Sequence, residues 1–270
     1  MAFPGERGAY SEEAAVAYFS VNIDTVPCRT VSQVFWKVEN SDVGYGVVPV
    51  ENSTEGGVNE TYDLLLETEL RVSGEVNLRI IHCLISHHNR KIEDLKVIYS
   101  HPQALAQCRR FLDKLSCELV PTFDTAGSVK MIKEEELVDA GAIASERSAQ
   151  IYAMDILAKG IEDSPTNNTR FLVLSHNDSQ PTGKDKCSVI FSTKHAPGAL
   201  YNALREFALR KINLTMIVSR PTKMIPWEYN FYVDFDGHQS SKVVQECLTS
   251  LANHTTFLKV LGSYSGSQDS

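Results

Sequence analysis

Short apolar runs alternate with helically spaced apolar residues through most of the first 175 positions of the chain. Gly46–Val50 and Val97–Tyr99 are strand-like, and each precedes a segment in which apolar residues recur at every third or fourth position. Ala142–Ala144 is a third such run, followed by a helical pattern that we expect to end at Gly160. Ala2 and Phe3 resemble the end of a further strand. Strands that alternate with helices predict an α/β fold.

Residues that commonly cap helices follow these runs. The predicted helix starts contain Ser11, Asn52, Ser53, Ser100 and Ser145. Ser100 also has capping-box spacing with Gln103, and Gly5–Gly8 forms a tight loop before Ser11. Such helix starts collect at the carboxyl edge of an open sheet, where backbone N–H groups and helix dipoles favour anions. Capping alone explains any one of these residues, but together they favour an anionic ligand without naming it.

A polar, turn-rich segment interrupts the pattern, and we predict a domain boundary there. The predicted organisation is a domain over 1–176, a linker over 177–185, a second domain over 186–264 and a tail over 265–270. Strand-like runs over 187–192, 214–218, 227–235 and 256–261 enclose two helical patterns in the second domain. Their order is βαββαβ, which predicts a ferredoxin-like unit.

Composition narrows the classes of partner and site. The chain is 43% hydrophobic and 22% charged, and its net charge of -8 argues against nucleic acid or a membrane surface as the main partner. The start of the chain shows no secretory signal, so we expect a cytoplasmic location unless an organelle-targeting segment has been removed. Six cysteines without a C-x-x-C pair indicate reduced thiols. The histidines are dispersed and the nucleotide, hydrolase and metalloprotease motifs are missing from the sequence, so we expect neither a metal nor a cofactor.

Four ordered motifs carry a family resemblance. They are Gly5–Ser11, Val48–Ser53, Ser100–Leu105 and Asn168–Phe171. In order and spacing these segments resemble the signatures of prephenate dehydratases, which are carbon–oxygen lyases. The resemblance implies a catalytic domain of two α/β lobes, like a periplasmic binding protein, with the active site in the cleft between them. It also implies that prephenate, a dianion, loses carbon dioxide and water to give phenylpyruvate in L-phenylalanine biosynthesis.

The resemblance also assigns roles to residues. Thr169 is the family's position for hydrogen bonding to, or protonating, the leaving hydroxyl, and Asn168 or Ser145 would polarise it. Arg170 would grip the substrate carboxylate with a planar guanidinium, and Phe171 would supply an apolar wall against the ring. The predicted substrate contacts are Ser11, Asn52, Ser53, Ser100, His101 and Ser145.

In the second domain, two short segments are similar to those that phenylalanine-sensing ACT domains use. They are Gly198, Ala199 and Leu200, and Ser219, Arg220 and Pro221. The resemblance implies end-product control by L-phenylalanine, and by analogy a homodimer or homotetramer. Val218 stands where the family usually has Glu, and Tyr201 stands where it has a small aliphatic residue. These two departures predict weakened phenylalanine binding.

Two other functions remain open at this point. Arogenate, which has an amino group in place of the side-chain keto group of prephenate, would undergo the same elimination in the same cleft. A non-enzymatic protein that holds small anions between two α/β lobes would also show capped helix starts. An extracellular location would favour the non-enzymatic binding protein. An assay with both substrates would show whether prephenate or arogenate is used.

Overall fold

A computed structural model describes residues 1–19, 23–222 and 227–266. The chain forms two compact units, Met1–Thr61 with Val76–Phe171, and Tyr62–Glu75 with Leu172–Ser270. These units assign a short central segment and the end of one strand to the C-terminal part, so the domain boundary near residue 176 stays a prediction. No helix among the described residues is long and apolar enough to span a bilayer.

The strands and helices follow one another in close succession. The strands are β1 Ala2–Pro4, β2 Val26–Cys28, β3 Gly46–Asn52, β4 Gly56–Gly57, β5 Arg71–Arg79, β6 Cys83–Ser86, β7 Val97–Ser100, β8 Glu118–Pro121, β9 Ala140–Ala144, β10 Asp155–Lys159, β11 Asn168–Ser175, β12 Asp185–Ser192, β13 Leu214–Pro221, β14 Tyr229–Asp236 and β15 Phe257–Ser265. The helices are α1 Tyr10–Phe19, α2 Val31–Glu39, α3 Asn59–Glu67, α4 Pro102–Gln107, α5 Arg109–Leu112, α6 Thr125–Glu134, α7 Glu146–Tyr152, α8 Ala199–Leu209 and α9 Lys242–Ala252.

Two sheets organise the first unit. One has the order β2-β1-β3-β11-β5, with β4 paired to β3, and β1 runs parallel to β2 and β3. The other has the order β10-β6-β9-β7-β8, in which β7 is parallel to β8 and β9, and β6 is antiparallel to β9 and β10. Mixed sheets with helices between their strands confirm the predicted α/β fold of two lobes.

The second sheet shows why small residues occupy its middle strand. All five residues of β9 are buried, and successive side chains point to opposite faces. Ala142 and Ala144 pack with Val129 and Ile132 of α6, whereas Ile143 packs with Ala104 of α4 on the other side. A strand covered by helices on both faces has an almost continuous apolar sequence, which explains its clear signal.

The predicted helix starts are correct at one site and shifted at others. Ser145 is the N-cap of α7 and accepts from the Ser148 N–H. The N-cap of α4 is His101 rather than Ser100, which ends β7. Asn52 ends β3, and α3 begins only at Asn59.

The helix predicted to reach Gly160 is also wrong in its second half. The α7 helix ends at Tyr152, because Ala153 adopts a left-handed conformation with φ 47°. Residues 155–159 then form β10, which pairs antiparallel with β6. Apolar residues in so short a segment satisfy both helical and strand spacing, so periodicity alone could not separate them.

The second unit confirms the predicted βαββαβ order. Its four-stranded sheet has the order β13-β14-β12-β15, and each neighbouring pair is antiparallel. Phe207 of α8 and Leu251 of α9 pack with Phe191 and Phe235 on one face of this sheet. Residues 176–184 contain no helix or strand, and residue 185, the last of the predicted linker, begins β12. The predicted tail begins within β15, and its residues 267–270 lie outside the described part.

Gly8 fixes the loop that leads into α1. It has φ 90°, and a Cβ built on it would lie 2.7 Å from both Cα and Oγ of Ser148. Its carbonyl accepts hydrogen bonds from the hydroxyls of Ser145, at 2.6 Å, and Ser148, at 2.9 Å. The chain needs glycine here because both the backbone conformation and the close approach exclude a side chain.

We predict that Gly8→Ala lowers the free energy of unfolding by roughly 3 to 4 kcal/mol, because strain and a steric clash add. Gly160→Ala is the matched control, since Gly160 has φ 70° but nothing within 4 Å of the built Cβ, so only strain of roughly 1 to 2 kcal/mol applies. Urea denaturation of both variants measures the difference. Equal losses would show that the contact with Ser148 is unimportant.

Candidate active site

A cavity of about 180 Å³ in the first unit brings together many of the predicted residues. It is lined by Tyr10, Ser11, Pro49, Asn52, Ile80, His82, His101, Gln103, Ala104, Gln107, Thr125, Thr169 and Phe171. Ser11, Asn52, His101, Thr169 and Phe171 are the predicted residues among them. A larger cavity in the same unit, about 690 Å³, borders Gly5 but none of the predicted site residues. The smaller cavity is therefore the candidate active site.

Strand β11 delivers two side chains to this cavity. Thr169 and Phe171 are two positions apart, so they point to the same face, and both are buried. The Thr169 hydroxyl oxygen accepts a 2.9 Å hydrogen bond from the side-chain amide of Asn52 on β3. The predicted polarising groups lie elsewhere: the Asn168 amide donates to the Thr166 carbonyl, and the Ser145 hydroxyl donates to the Gly8 carbonyl.

Arg170 lies between these two residues and points to the opposite face of the strand. Its guanidinium is 3.5 Å from the Glu51 carboxylate, and it is not among the residues that line the cavity. Glu51 precedes Asn52 on β3, so the same alternation puts the ion pair on one face and the Asn52–Thr169 bond on the other. The grip of Arg170 on a substrate carboxylate stays a prediction, and the cavity lining does not support it.

A sharp turn holds the Asn52 amide in place. The Asn52 side-chain oxygen accepts from the backbone N–H groups of Thr54, at 2.9 Å, and Glu55, at 3.1 Å. It also accepts from the Thr54 hydroxyl at 2.6 Å. With its oxygen taken by three donors, the Asn52 NH₂ group has to face Thr169.

The remaining predicted serines support the backbone around the cavity. Ser53 is exposed and links to β11 at the start of that strand, because its hydroxyl donates to the Thr166 carbonyl and accepts from the Asn168 N–H. Ser100 is buried and its hydroxyl donates to the Ile143 carbonyl at 2.7 Å. Neither these two residues nor Ser145 is among the lining residues. Their predicted contact with substrate stays a prediction.

The cavity lining contains helix starts rather than cations. Tyr10 and Ser11 lie in the first turn of α1, and Thr125 is the first residue of α6. Both helices are ten residues long, and both first turns line the cavity. No lysine or arginine is found among the described lining residues. The start of α6 already has a carboxylate cap, because Asp124 accepts from the Gly127 N–H at 3.1 Å. The start of α1 is therefore the better candidate to face an anion in this cavity.

The titratable groups of the cavity are kept neutral by desolvation. Burial lowers the pKa of His82, although a hydrogen bond to Gln107 and the Glu162 carboxylate oppose that shift. Burial likewise lowers the pKa of His101, with Asp124 opposing. Desolvation raises the pKa of Tyr10 well above its usual value. The cavity therefore contains neutral donors and acceptors near pH 7.

Sequence reasoning missed several polar residues of this lining. Tyr10, His82 and Gln107 are drawn together from three separate elements, and Asn167 adjoins them. The Tyr10 hydroxyl lies 2.9 Å from Nδ1 of His82, and both rings meet edge to face. One local signal existed, since Gln107 lies one helical turn after Gln103 and faces the same side.

The predicted effector residues lie in the second unit. Ala199 and Leu200 line a cavity of about 180 Å³ together with Tyr229 and Phe231, and Gly198 is the N-cap of α8. Ser219, Arg220 and Pro221 lie at the end of the edge strand β13 and are not among the described residues lining that cavity.

Arg220 is anchored within its own unit, because its guanidinium donates to the Asp63 carboxylate at 3.0 and 3.2 Å.

Comparison with known proteins gives one consistent family. A family model described as prephenate dehydratase matches residues 1–179. A curated relative from Arabidopsis thaliana, "Arogenate dehydratase/prephenate dehydratase 2, chloroplastic", is 45% identical over 275 residues, covering 98% of this chain and 72% of the relative.

Two solved structures share the fold over almost the whole chain. One is described as prephenate dehydratase in complex with L-Phe from Arthrobacter aurescens, with TM-score 0.89, 32% identity and coverage of 98% of this chain and 89% of that chain. The other is described as "GqqA, a novel type of quorum quenching acylases", with TM-score 0.89, 31% identity and coverage of 98% and 97%.

Acidification should destabilise the protein through His82. Its pKa is lowered from an ordinary value of 6.5, so below that pH the unfolded chain binds protons more tightly than the folded one. The contribution of neutral His82 to the free energy of unfolding is thus fully present above about pH 6.5. It falls as the pH drops, by at most about 1.4 kcal/mol per pH unit for one histidine. In His82→Gln this contribution disappears, and the side-chain amide can still donate to Gln107.

We expect the unfolding free energy of the wild type to fall relative to that of His82→Gln between about pH 7.5 and about pH 5.5. His195→Gln, at an exposed histidine, is the control and should track the wild type. Urea denaturation across this range provides the measurement. Parallel curves for the wild type and His82→Gln would contradict the assignment.

Proposed function

The chain belongs to the prephenate dehydratase family, and we propose that it converts prephenate to phenylpyruvate in L-phenylalanine biosynthesis. The ring carbon–carboxylate bond breaks and releases CO₂, and its electron pair completes the aromatic ring as the ring hydroxyl leaves. The hydroxyl takes up one proton and departs as water. The protein has to donate a hydrogen bond or proton at that hydroxyl, hold the pyruvyl carboxylate and leave the ring carboxylate poorly solvated.

The Asn52–Thr169 hydrogen bond is the observation that carries this proposal. The Thr169 oxygen accepts from Asn52, so its own proton is directed away from that amide and can be donated to an oxygen in the cavity. A threonine hydroxyl is a weak acid. A donor that is already polarised by an amide provides a stronger hydrogen bond to the leaving group than a hydroxyl in water would.

The rest of the cavity suits the two carboxylates in different ways. The first turn of α1 would bind the carboxylate that the product retains, since the start of α6 is already capped by Asp124. Phe171 and Ile80 are buried and form an apolar wall, beside which a carboxylate would be poorly solvated. The charge of that carboxylate disappears as CO₂ forms, so such surroundings favour the transition state over the bound substrate.

Arogenate is the alternative substrate. The Arabidopsis relative is named for both activities, and the two substrates differ only in the side chain that bears the retained carboxylate. The same Thr169 contact would serve the elimination in either case.

Acyl transfer, the activity in the description of the other solved structure, needs a nucleophile beside a base. Among the described residues that line this cavity, Tyr10 has the hydroxyl that lies within hydrogen-bond distance of a histidine. The raised pKa of Tyr10 opposes its use as a nucleophile. We therefore do not extend that activity to this chain.

We further propose that L-phenylalanine regulates the enzyme through the second unit, and that the chain forms a homodimer or homotetramer through its ferredoxin-like units. The Arthrobacter relative was solved with L-Phe. The edge strand β13 leaves Ile217 about half exposed on an open strand edge, which is the kind of surface that pairs with another chain.

Thr169→Ala should reduce turnover at least about a hundredfold while the unfolding temperature stays near that of the wild type, because the hydroxyl acts on the leaving group. Turnover should be measured side by side with prephenate and arogenate, since the loss should appear with whichever substrate the wild type prefers. Thr166→Ala, three positions earlier and exposed, is the matched control. A Thr169→Ala enzyme that keeps more than about a tenth of wild-type turnover would contradict the assignment.

Val218→Glu should tighten phenylalanine binding. Val218 pairs with Tyr232 across β13 and β14, and Arg220 lies two positions along, on the same face of the strand. A carboxylate at position 218 adds a charged hydrogen bond worth about 1.5 to 3 kcal/mol, or roughly tenfold to hundredfold in affinity. Calorimetry with L-phenylalanine on the wild type, Val218→Glu and the uncharged Val218→Gln provides the measurement. Tight wild-type binding, or no gain in Val218→Glu, would show that this position does not set the response.

A further inference from the structure

A closed ring of hydrogen bonds adjoins Thr169 and is formed by the side chains of Asn52, Asn167, Gln107 and Thr54. The Asn52 amide donates to Oδ1 of Asn167 at 2.8 Å, and the Asn167 amide donates to Oε1 of Gln107 at 2.9 Å. The Gln107 amide donates to the Thr54 hydroxyl at 3.1 Å, and that hydroxyl donates back to Oδ1 of Asn52 at 2.6 Å. Each member accepts from one neighbour and donates to the next, an arrangement in which the bonds polarise one another.

The direction of donation around the ring is fixed by the backbone. A ring of this kind could run either way if the three amides and the hydroxyl all turned over. Oδ1 of Asn52 also accepts from the N–H groups of Thr54 and Glu55, which cannot turn. The Asn52 NH₂ group is therefore the donor, and its second hydrogen goes to Thr169. Among the described hydrogen bonds of the ring members, this is the one that reaches the proposed catalytic hydroxyl.

His82 enters the ring from the other side. Its Nε2 lies 2.9 Å from Oε1 of Gln107, which is an acceptor in this direction of donation, so Nε2 carries a hydrogen. In the neutral ring Nδ1 is then an acceptor, and the Tyr10 hydroxyl has two acceptors for its one hydrogen, Nδ1 and the Ile81 carbonyl, each at 2.9 Å. His82 thus donates to Gln107 and joins the ring there.

We propose that Thr54, Gln107 and Asn167 are positioning residues for the elimination: their ring orients and polarises the Asn52 amide, which in turn directs the Thr169 proton toward the leaving group. This inference rests on the proposed function, and it extends the proposed catalytic machinery to residues outside Thr169–Phe171. Thr54 is exposed and is not among the residues that line the cavity, so it acts on the reaction only through Asn52 and Gln107.

Thr54 allows a clean test, because its hydroxyl can be removed without disturbing a packed core. Thr54→Val removes one member of the ring and keeps the shape of the side chain, whereas Thr54→Ser keeps the hydroxyl. We expect Thr54→Val to lower kcat roughly fivefold to tenfold, with KM changed less than about twofold, because the contact is used in the transition state. Thr54→Ser should retain most of the wild-type kcat. Thermal unfolding of both variants checks that stability is unchanged.

A double-mutant cycle with Thr169→Ala identifies the route of the effect. If the ring acts through the Thr169 hydroxyl, Thr54→Val should have no further effect on the residual kcat of Thr169→Ala. An equal loss in both backgrounds, or a Thr54→Val enzyme with wild-type kcat, would overturn the inference. If Thr169→Ala itself keeps near wild-type turnover, the proposed role of Thr169 fails first, and that result is visible before the cycle is completed.

Discussion

The hydrogen bond from the Asn52 amide to the Thr169 hydroxyl is the contact on which the proposed chemistry of this cavity depends. It joins two neighbouring strands of one sheet on the face that looks into the cavity, and the alternation of both strands puts the Arg170–Glu51 ion pair on the reverse face. A shift of either strand by one residue would break both pairs and turn a charged side chain, Glu51 or Arg170, toward the cavity face. In the proposed reaction, the register of these two strands is therefore a catalytic constraint as well as a structural one.

The sequence was informative wherever one local pattern had one structural solution. The buried strands β3, β7 and β9 and the βαββαβ order of the second unit follow from hydrophobic periodicity, and the Ser145 cap follows from its place before a helix. Local patterns gave a wrong prediction where one side chain could form either of two hydrogen bonds. Ser100 could have capped α4, but its hydroxyl is buried against the Ile143 carbonyl, and His101 takes the cap.

The site itself could be predicted only in part for a related reason. Thr169 and Phe171 were predicted from the family resemblance and both line the cavity, whereas strand alternation separates them from Arg170. Contacts such as Asn167–Gln107 and His82–Gln107 join residues 60 and 25 positions apart in the chain. No spacing rule predicts such contacts, because they depend on how the strands and helices of the first unit come together.

The neutrality of the described cavity lining explains how an acidic protein could bind and transform a dianion. A lysine or arginine beside the departing carboxylate would stabilise its charge in the bound substrate and lose that interaction as CO₂ forms, which would raise the barrier. In the proposed reaction, the start of α1 and side-chain amides would hold the retained carboxylate equally well before and during the elimination, so they would contribute to binding without opposing it. The interaction that has to grow in the transition state is then the one at the leaving hydroxyl. A donor held by a closed ring and two backbone amides is suited to that task, because it is already oriented when the charge on the leaving oxygen develops.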